Sequence, residues 1–435
     1  MSRLPVAVYG ADGIVAVRAG QGVPGATFWA EVAALAARLP AAPYAVNLCA
    51  DRYRFMVGFA AALARKQVTL MPATSLPAVL ADLAASYPGL YALTDGAPPP
   101  LPSLVYPDDL SGPDAGPLAV PAEQLAVIQF TSGSTGKPKA VPKSWGTLVS
   151  TARAAGARLG VDAWGGGTLI GTVPHQHSYG LESVILLAWQ HGLAVEAATP
   201  LYPEDVRAAL ARAARPRLLV TTPVHLRALT AAPGGMPAAD LLLCATAPLP
   251  AALAAAAEGC FAAPLVEIYG CTEAGQVATR RPTQESLWHC LPGIALHQDE
   301  QGSWASGAPV EGVAPLQDEI LLHGSAHFAL GARAADLVNV AGKRASLAQL
   351  TQALLGIAGV KDGVFVLAEA PEAPVSRLAA LVVAPGLHRD DILRALRTRI
   401  DAAFLPRPLV MVASLPHNPL GKLPRADLLA LLARQ

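Results

Sequence analysis

Charge of either sign is scarce in this chain. Lys and Arg number 32, Asp and Glu also number 32, and together they make up only 15% of the 435 residues. The formal charge at pH 7 is zero, so there is no basic field to hold a nucleic-acid backbone. Cysteine is sparse too. Cys49, Cys244, Cys260, Cys271 and Cys290 are odd in number and lack CxxC spacing. This argues against a disulfide framework or a zinc site and fits the reduced thiols of a cytoplasmic protein. Long apolar runs are missing. Mean hydropathy is high at +0.39, but alanine and leucine are spread along the whole chain. No window approaches the ~18 consecutive apolar residues of a membrane span. Met1–Gly10 lacks the charged start, apolar core and cleavage site of a secretory signal. There is no internal repeat and no low-complexity tail. These absences leave a cytoplasmic protein without nucleic-acid binding or membrane insertion.

What is present is concentrated in one place. Residues Thr131–Ser132–Gly133–Ser134–Thr135–Gly136–Lys137–Pro138–Lys139 carry four hydroxyls, two glycines and two lysines, directly after the apolar run Leu125–Phe130. A strand ending in such a loop offers backbone N–H groups, hydroxyl donors and ammonium charge to one anion, as a polyphosphate requires. The glycines permit close backbone approach. The loop is not a Walker A loop. Gly133 and Gly136 stand three apart rather than five, and Pro138 occupies the place of the magnesium-binding Ser or Thr. A plain Gly/Ser turn would have the same small residues, but it needs no paired cations beside a proline.

The chain is too long for one ordinary core, so two or three domains are expected. Strands alternate with helices. Tyr44–Leu48, Arg52–Arg65 and Gln67–Met71 read as a βαβ unit, and Leu125–Phe130 is followed by the loop and then a helix from Ser144 to Arg158. Further strands are expected at Leu169–Val173, Leu193–Ala197, Leu218–Thr221, Leu241–Ala245 and Leu265–Ile268. This pattern predicts an α/β fold with a mixed or parallel sheet covered on both faces. After Asp336 the texture changes to a β/α segment of roughly 100 residues, large enough for a small separate domain.

Three further motifs carry chemistry. Glu267–Glu273 (EIYGCTE) places Thr272 and Glu273 just past a strand, at the sheet edge where open α/β sheets bind ligands. A carboxylate there suits Mg²⁺, although Thr272 capping a helix would look the same. Leu415–Arg425 (LPHNPLGKLPR) sets Lys422 in a loop between prolines. Arg333–Arg344 (RAADLVNVAGKR) lies at the proposed boundary.

In this order the four motifs resemble those of the adenylate-forming superfamily of acyl- and aryl-acid ligases, peptide-synthetase adenylation domains and luciferases. The family patterns are [ST]-S-G-[ST]-T-G-x-P-K, Y-G-x-T-E, R-x-D-D-x-I-K-x-x-G-x-R and L-P-x-T-x-x-G-K-x-x-R. Pro174-x-x-His177-x-x-Gly180 resembles the motif beside the family's acyl pocket. The resemblance spans about residues 40–430. It implies a large N-terminal domain of mixed and parallel sheets covered by helices (1–335), carrying the acyl and ATP sites. A small mobile C-terminal α+β domain (336–435) would carry the catalytic lysine.

By this resemblance Thr131, Ser132, Gly133, Ser134, Thr135, Gly136 and Lys139 would cradle the β- and γ-phosphates of ATP. Thr272 would contact the α-phosphate, Glu273 would hold Mg²⁺ and Tyr269 would border adenine. Arg333 would reach the ribose. Asp318, fifteen residues earlier, sits at the spacing of the family's ribose-binding aspartate, although the triplet before it is Leu316–Gln317–Asp318 rather than T-G-D. His177 and Lys422 would act at the reacting carboxylate. Asp336 would be the hinge, and Gly342 would line the way in for a pantetheine thiol. The implied activity is ATP-dependent conversion of a carboxylic acid to an acyl-adenylate, then to a thioester. The acceptor would be CoA or phosphopantetheinyl acyl carrier protein, with the carrier protein as the expected partner. Asn47–Phe55 and the short N-terminal region look like a branch that loads hydroxybenzoate-like acids in aryl-polyene or xanthomonadin-type pathways. A non-catalytic nucleotide-binding relative is the alternative, although such a relative would usually have lost one of Lys422, Glu273 or the phosphate loop.

Overall fold

The computed structural model describes residues 2–72, 74–113, 115–131, 139–299, 302–316, 318–333, 337–340, 343–368, 377–418 and 421–434. Ser132–Gly136, Asp336 and Gly342 therefore lie outside the described residues.

Two sheets dominate the first three quarters of the chain. In the smaller, the strands run in the order Lys139–Ser144, Leu125–Thr131, Val68–Met71, Tyr44–Asn47, Tyr91–Thr94 and Ser103–Val105. All pair in parallel except the first, which runs antiparallel to Leu125–Thr131. The larger sheet has a parallel centre. Leu265–Cys271, Leu241–Cys244, Arg217–Thr221, Thr168–Gly171 and Ala194–Glu196 lie side by side in that order. Its far flank turns antiparallel through Gly275–Arg280, Trp288–Cys290, His327–Arg333 and Asp318–His323.

Helices packed into one continuous core join the two sheets. The helix Arg52–Ala64 is buried on almost every side, which is why its sequence RYRFMVGFAAALA shows no polar face. At Gly58 a Cβ would meet Leu93 at 2.4 Å and Asn47 at 2.7 Å, so the helix lies flush on its own sheet. Phe59 stacks on Trp189, with ring centroids 5.9 Å apart. Burying such an aromatic contributes roughly 2–3 kcal/mol. Asp51 caps the helix by accepting a bond from the Arg54 amide.

Arg52, at the head of this helix, is fully buried. It reaches the other sheet and donates to the carbonyls of Gly171, Val173, Glu196 and Ala198 and to the Thr199 hydroxyl, at 2.7–3.2 Å. These acceptors lie at the carboxyl ends of two neighbouring strands. The ends are thus stitched together by a charge that would otherwise be very costly to bury.

The last hundred residues build a separate small layer. Strands Asp362–Ala368, Arg377–Val383 and Leu409–Met411 form one sheet, with helices Leu347–Leu355, Arg389–Arg397 and Arg425–Ala433. Their apolar residues gather in two clusters drawn entirely from residues 338–432 among the described residues.

One expectation needs correction and one alternative falls away. Lys139–Ser144 is a strand rather than loop, and the helix starts at Trp145, with Ser144 as its cap. Thr272 does not cap a helix. It lies in the turn between the antiparallel strands Leu265–Cys271 and Gly275–Arg280.

Candidate functional site

The site is assembled where the parallel strands of the larger sheet end. Past Thr168–Gly171 the chain runs through Pro174 to His177. Past Arg217–Thr221 come Thr222 and His225, past Leu241–Cys244 come Ala245–Ala247, and past Leu265–Cys271 come Thr272 and Glu273. Four short segments therefore line one edge, in the place where open α/β sheets receive ligands.

The Pro174-x-x-His177-x-x-Gly180 spacing has a packing cause. A Cβ on Gly180 would fall 1.9 Å from the Pro174 carbonyl oxygen, so only glycine lets the loop fold back on itself. The helix that follows opens at Ser178–Gly180 and widens into a π turn over Leu181–Leu186 before closing as Leu187–His191. Such widened turns recur at functional sites. Burial, with Lys422 close by, pulls the His177 pKa down to about 4. Its imidazole is therefore neutral near pH 7. His175 is held more deeply, with Nε2 3.0 Å from the Cys49 carbonyl.

The segment read from the sequence as a phosphate loop joins two antiparallel strands. Thr131 and Lys139 are direct cross-strand partners, so the hydroxyl-rich segment between them starts and ends at one point. Four residues on, Lys143 is almost completely buried. Its ammonium group donates to the Glu273 carbonyl at 2.6 Å. Burial lowers its pKa, opposed by the nearby Glu182, Cys271, Glu311 and Glu273. The hairpin that carries Thr131 and the turn that carries Thr272 and Glu273 are thus tied together from below. Lys143 escaped sequence reasoning because it reads as a surface lysine beside a proline.

Tyr269 packs its ring against Trp288 and Phe328, at 5.6 and 5.5 Å between centroids. Its hydroxyl donates to Asp318 at 2.9 Å. The structure thus makes Tyr269 a positioning group for Asp318, a role not expected from the sequence. Asp318 in turn is the cross-strand partner of Arg333. The fifteen-residue spacing read from the sequence is a β-hairpin that brings the two residues side by side. Tyr179, within the Pro174–Gly180 motif, donates to the carbonyls of Thr221 and Leu243, a packing role. Thr222 caps the helix Pro223–Ala231. His225 faces a cavity of about 540 Å³ that Pro174, His175, His417 and Asn418 also line.

The C-terminal layer completes the site. Gly421 adopts φ +72°, and a Cβ there would stand 3.3 Å from Thr222 Oγ1 and from Val224. The tip of the loop thus rests on the start of the helix Pro223–Ala231. The loop is pinned internally, since the Lys422 amide donates to Asn418 Oδ1 at 2.9 Å and the Asn418 amide to the Lys422 carbonyl at 2.8 Å. Asn418 also lines a second cavity of about 500 Å³ with His177, Gln176, Leu48 and Met71. Lys422 and His177, 245 residues apart in sequence, are brought close enough to interact electrostatically.

One feature of this edge has no sequence signal. Thr246, on the Ala245–Ala247 segment, has φ +86°, a conformation that a β-branched residue rarely adopts. Its buried hydroxyl has no partner among the described residues. No group of three or more His, Cys, Asp or Glu side chains among the described residues could hold a metal by itself. The donor set is instead one carboxylate, Glu273, beside Thr272 and a hydroxyl-rich hairpin. That fits Mg²⁺, which is usually held by one or two carboxylates plus substrate phosphates.

A family model described as AMP-binding enzyme matches residues 26–301. The chain is 30% identical over 287 residues to a 4-coumarate–CoA ligase of Rhodobacter capsulatus, covering 66% of this chain and 71% of that protein. It is 22% identical over 319 residues to a 3,4-dihydroxybenzoate–[aryl-carrier protein] ligase of Bacillus anthracis, covering 70% and 73%. The fold is similar to that of o-succinylbenzoate CoA synthetase from Bacillus subtilis, solved with its acyl-adenylate intermediate. The TM-score is 0.81 at 18% identity, over 98% of each chain.

Proposed function

We propose, for a chain that belongs to the AMP-binding enzyme family of adenylate-forming acid–thiol ligases, that it activates an aryl acid of the hydroxybenzoate class. The acyl group is then passed to the pantetheine thiol of an acyl carrier protein. The observation that carries this reading is the docking of the lysine loop at the carboxyl edge of the large sheet, where Gly421 packs on Thr222 and Val224 and Asn418 shares a cavity with His177, together with the tie from Lys143 to the Glu273 turn. Similarity to ligases named for 4-coumarate and 3,4-dihydroxybenzoate supports an aromatic acid.

In the first step a carboxylate oxygen attacks the α-phosphate of ATP and pyrophosphate leaves. Two anions must approach each other, so positive charge has to be placed where charge develops. Lys422 supplies a compact cation. His177, neutral at pH 7, adds no competing charge and offers a hydrogen bond beside the reacting carboxylate. Thr272 orients the α-phosphate. Thr131, Ser132, Gly133, Ser134, Thr135, Gly136 and Lys139 hold the leaving pyrophosphate. Asp318, steadied by Tyr269, takes the ribose hydroxyls with Arg333 across the hairpin. Mg²⁺ on Glu273 would neutralise phosphate oxygens when bound.

In the second step the thiolate attacks the acyl carbonyl and AMP departs. Domain 336–435 is assigned a rotation about Asp336 that withdraws Lys422 and brings the Gly342 face to the thiol, a hinge motion. The cytoplasm is the assigned location, and no helix among the described residues is long and apolar enough to cross a membrane.

The test is exchange of labelled pyrophosphate into ATP across a panel of aryl and fatty acids. Exchange with a hydroxybenzoate, and a fall of about 10²–10³-fold in Lys422→Ala, is the expected outcome. Silence across the whole panel would overturn the reading. Transfer to CoA but never to loaded carrier protein would overturn the assigned acceptor.

A further inference from the structure

We infer that Asp362, gripped by His417 and Arg227, is the latch that holds the C-terminal domain in the position where Lys422 reaches the carboxylate. This rests on the two-step reading above and adds to it the contact that selects between the steps.

Asp362 lies in the small C-terminal domain. It opens the strand Asp362–Ala368 of the small domain, far in sequence from the lysine loop. Its carboxylate accepts a bond from His417 Nε2 at 2.6 Å. The other ring nitrogen, Nδ1, lies 3.0 Å from the Gly421 carbonyl oxygen. Both partners are acceptors, so the ring makes both bonds only when both nitrogens carry hydrogen. His417 thereby fixes the backbone directly before Lys422 to the body of its own domain.

The second oxygen of Asp362 faces the other domain. Arg227 Nη1 approaches Oδ1 at 3.6 Å. Arg227 lies on the helix Pro223–Ala231, whose first turn receives Gly421. One carboxylate thus ties together the catalytic loop, the small domain and the helix on which the loop lands. Both side chains of the ion pair are partly exposed, 25% for Arg227 and 19% for Asp362. A pair at that depth and distance is weak enough to open. A contact that must break once per turnover needs that weakness, and a fully buried pair would not release.

The prediction is a split between half-reactions. Asp362→Asn should lower pyrophosphate exchange about three- to fivefold, while thioester formation from supplied acyl-adenylate stays within about 1.5-fold of the parent protein. Arg227→Met should do the same to a smaller extent. The double variant should be no worse than Asp362→Asn alone, because both changes remove one contact. Equal loss in both half-reactions would overturn the latch, as would independent, multiplying losses. Hydrogen exchange on the full-length chain gives a readout that needs no substrate. Asp362→Asn should raise exchange at the amides of Thr222 and Val224–Leu226, where the loop docks, and unchanged protection there would also overturn the proposal. Absence of exchange activity in the parent protein would instead reject the ligase reading, leaving the hydrogen-exchange result to decide the contact.

Discussion

The two halves of the candidate site are held in opposite ways. The turn bearing Thr272 and Glu273 is tied to the phosphate hairpin by Lys143, a cation sealed in the core. The loop bearing Lys422 is held by the contact of Gly421 with Thr222 and Val224, and by the partly exposed pair between Arg227 and Asp362. A buried charge that loses its partner costs several kcal/mol, whereas an exposed pair is worth about 0–1 kcal/mol. The difference sorts the site by task. The groups assigned to the nucleotide in both steps are anchored by a charge in the core. The group assigned to the first step alone is attached by contacts that exchange with water.

The largest test of this contrast removes the buried tie. Lys143→Met keeps the length of the side chain but leaves the Glu273 carbonyl and the neighbouring Glu182 without their cation. A loss of about 3–5 kcal/mol in urea unfolding is expected, with both half-reactions falling together. Asp362→Asn should cost less than about 1 kcal/mol by the same measurement. If the two variants unfold at the same denaturant concentration, the division into a fixed half and a released half fails.

Part of this arrangement was legible in the sequence, for a physical reason. A contiguous run of small and hydroxyl side chains with two lysines stands out in any sequence, so Thr131–Lys139 reads as an anion loop, and 132–138 lie outside the described residues. Asp318 and Arg333 were legible as a spacing, although not as a hairpin. The strand Lys139–Ser144 was not, because KAVPKS pairs a proline with two lysines. An edge position tolerates the proline, and alternation sends Val141 and Lys143 inward. Burial of a lysine depends on carboxylates such as Glu182 and Glu311, which lie elsewhere in the chain. Arg52 was missed in the same way, since its acceptors are carbonyls of another sheet. The latch was invisible because its three members, Arg227, Asp362 and His417, meet only in the folded chain.

The next test uses the two histidines of the fixed half. His177 has its pKa lowered from 6.5 to about 4, by burial first and by Lys422 second, and His175 is lowered to about 3 by burial first and Arg52 second. Between these values and 6.5 the unfolded chain binds more protons than the folded one, so stability rises with pH. The stabilisation is complete above about pH 6.5 and is lost as the pH falls toward 4. For His177 alone it is on the order of 3 kcal/mol. Urea titrations from pH 7 to 4.5 should show the decline, and His177→Asn should flatten part of it. Lys422→Ala should move the His177 imidazole resonances upward in pH, because the released loop contributes that part of the shift. Unmoved resonances would place Lys422 away from His177 in solution and remove the contact on which the first step is built.

The smallest effect concerns strain kept within the fixed half. Thr246 holds φ +86° with a buried hydroxyl that has no partner among the described residues. A β-branched residue pays about 1–2 kcal/mol for such a backbone, and glycine would relieve it at an entropic cost of about 0.5–1 kcal/mol in the unfolded chain. Thr246→Gly is therefore expected to stabilise the protein by up to about 1 kcal/mol. Thr246 lies between the Thr222 and Thr272 segments along the carboxyl edge of the sheet, the edge to which the acid is assigned above. The substitution should then widen the range of acids that support pyrophosphate exchange while leaving the KM for ATP within about twofold. A stability gain with no change in acid preference would leave the strain as packing history. A loss of stability would mean that the surrounding strands, by closing around the methyl group, repay the strain in full.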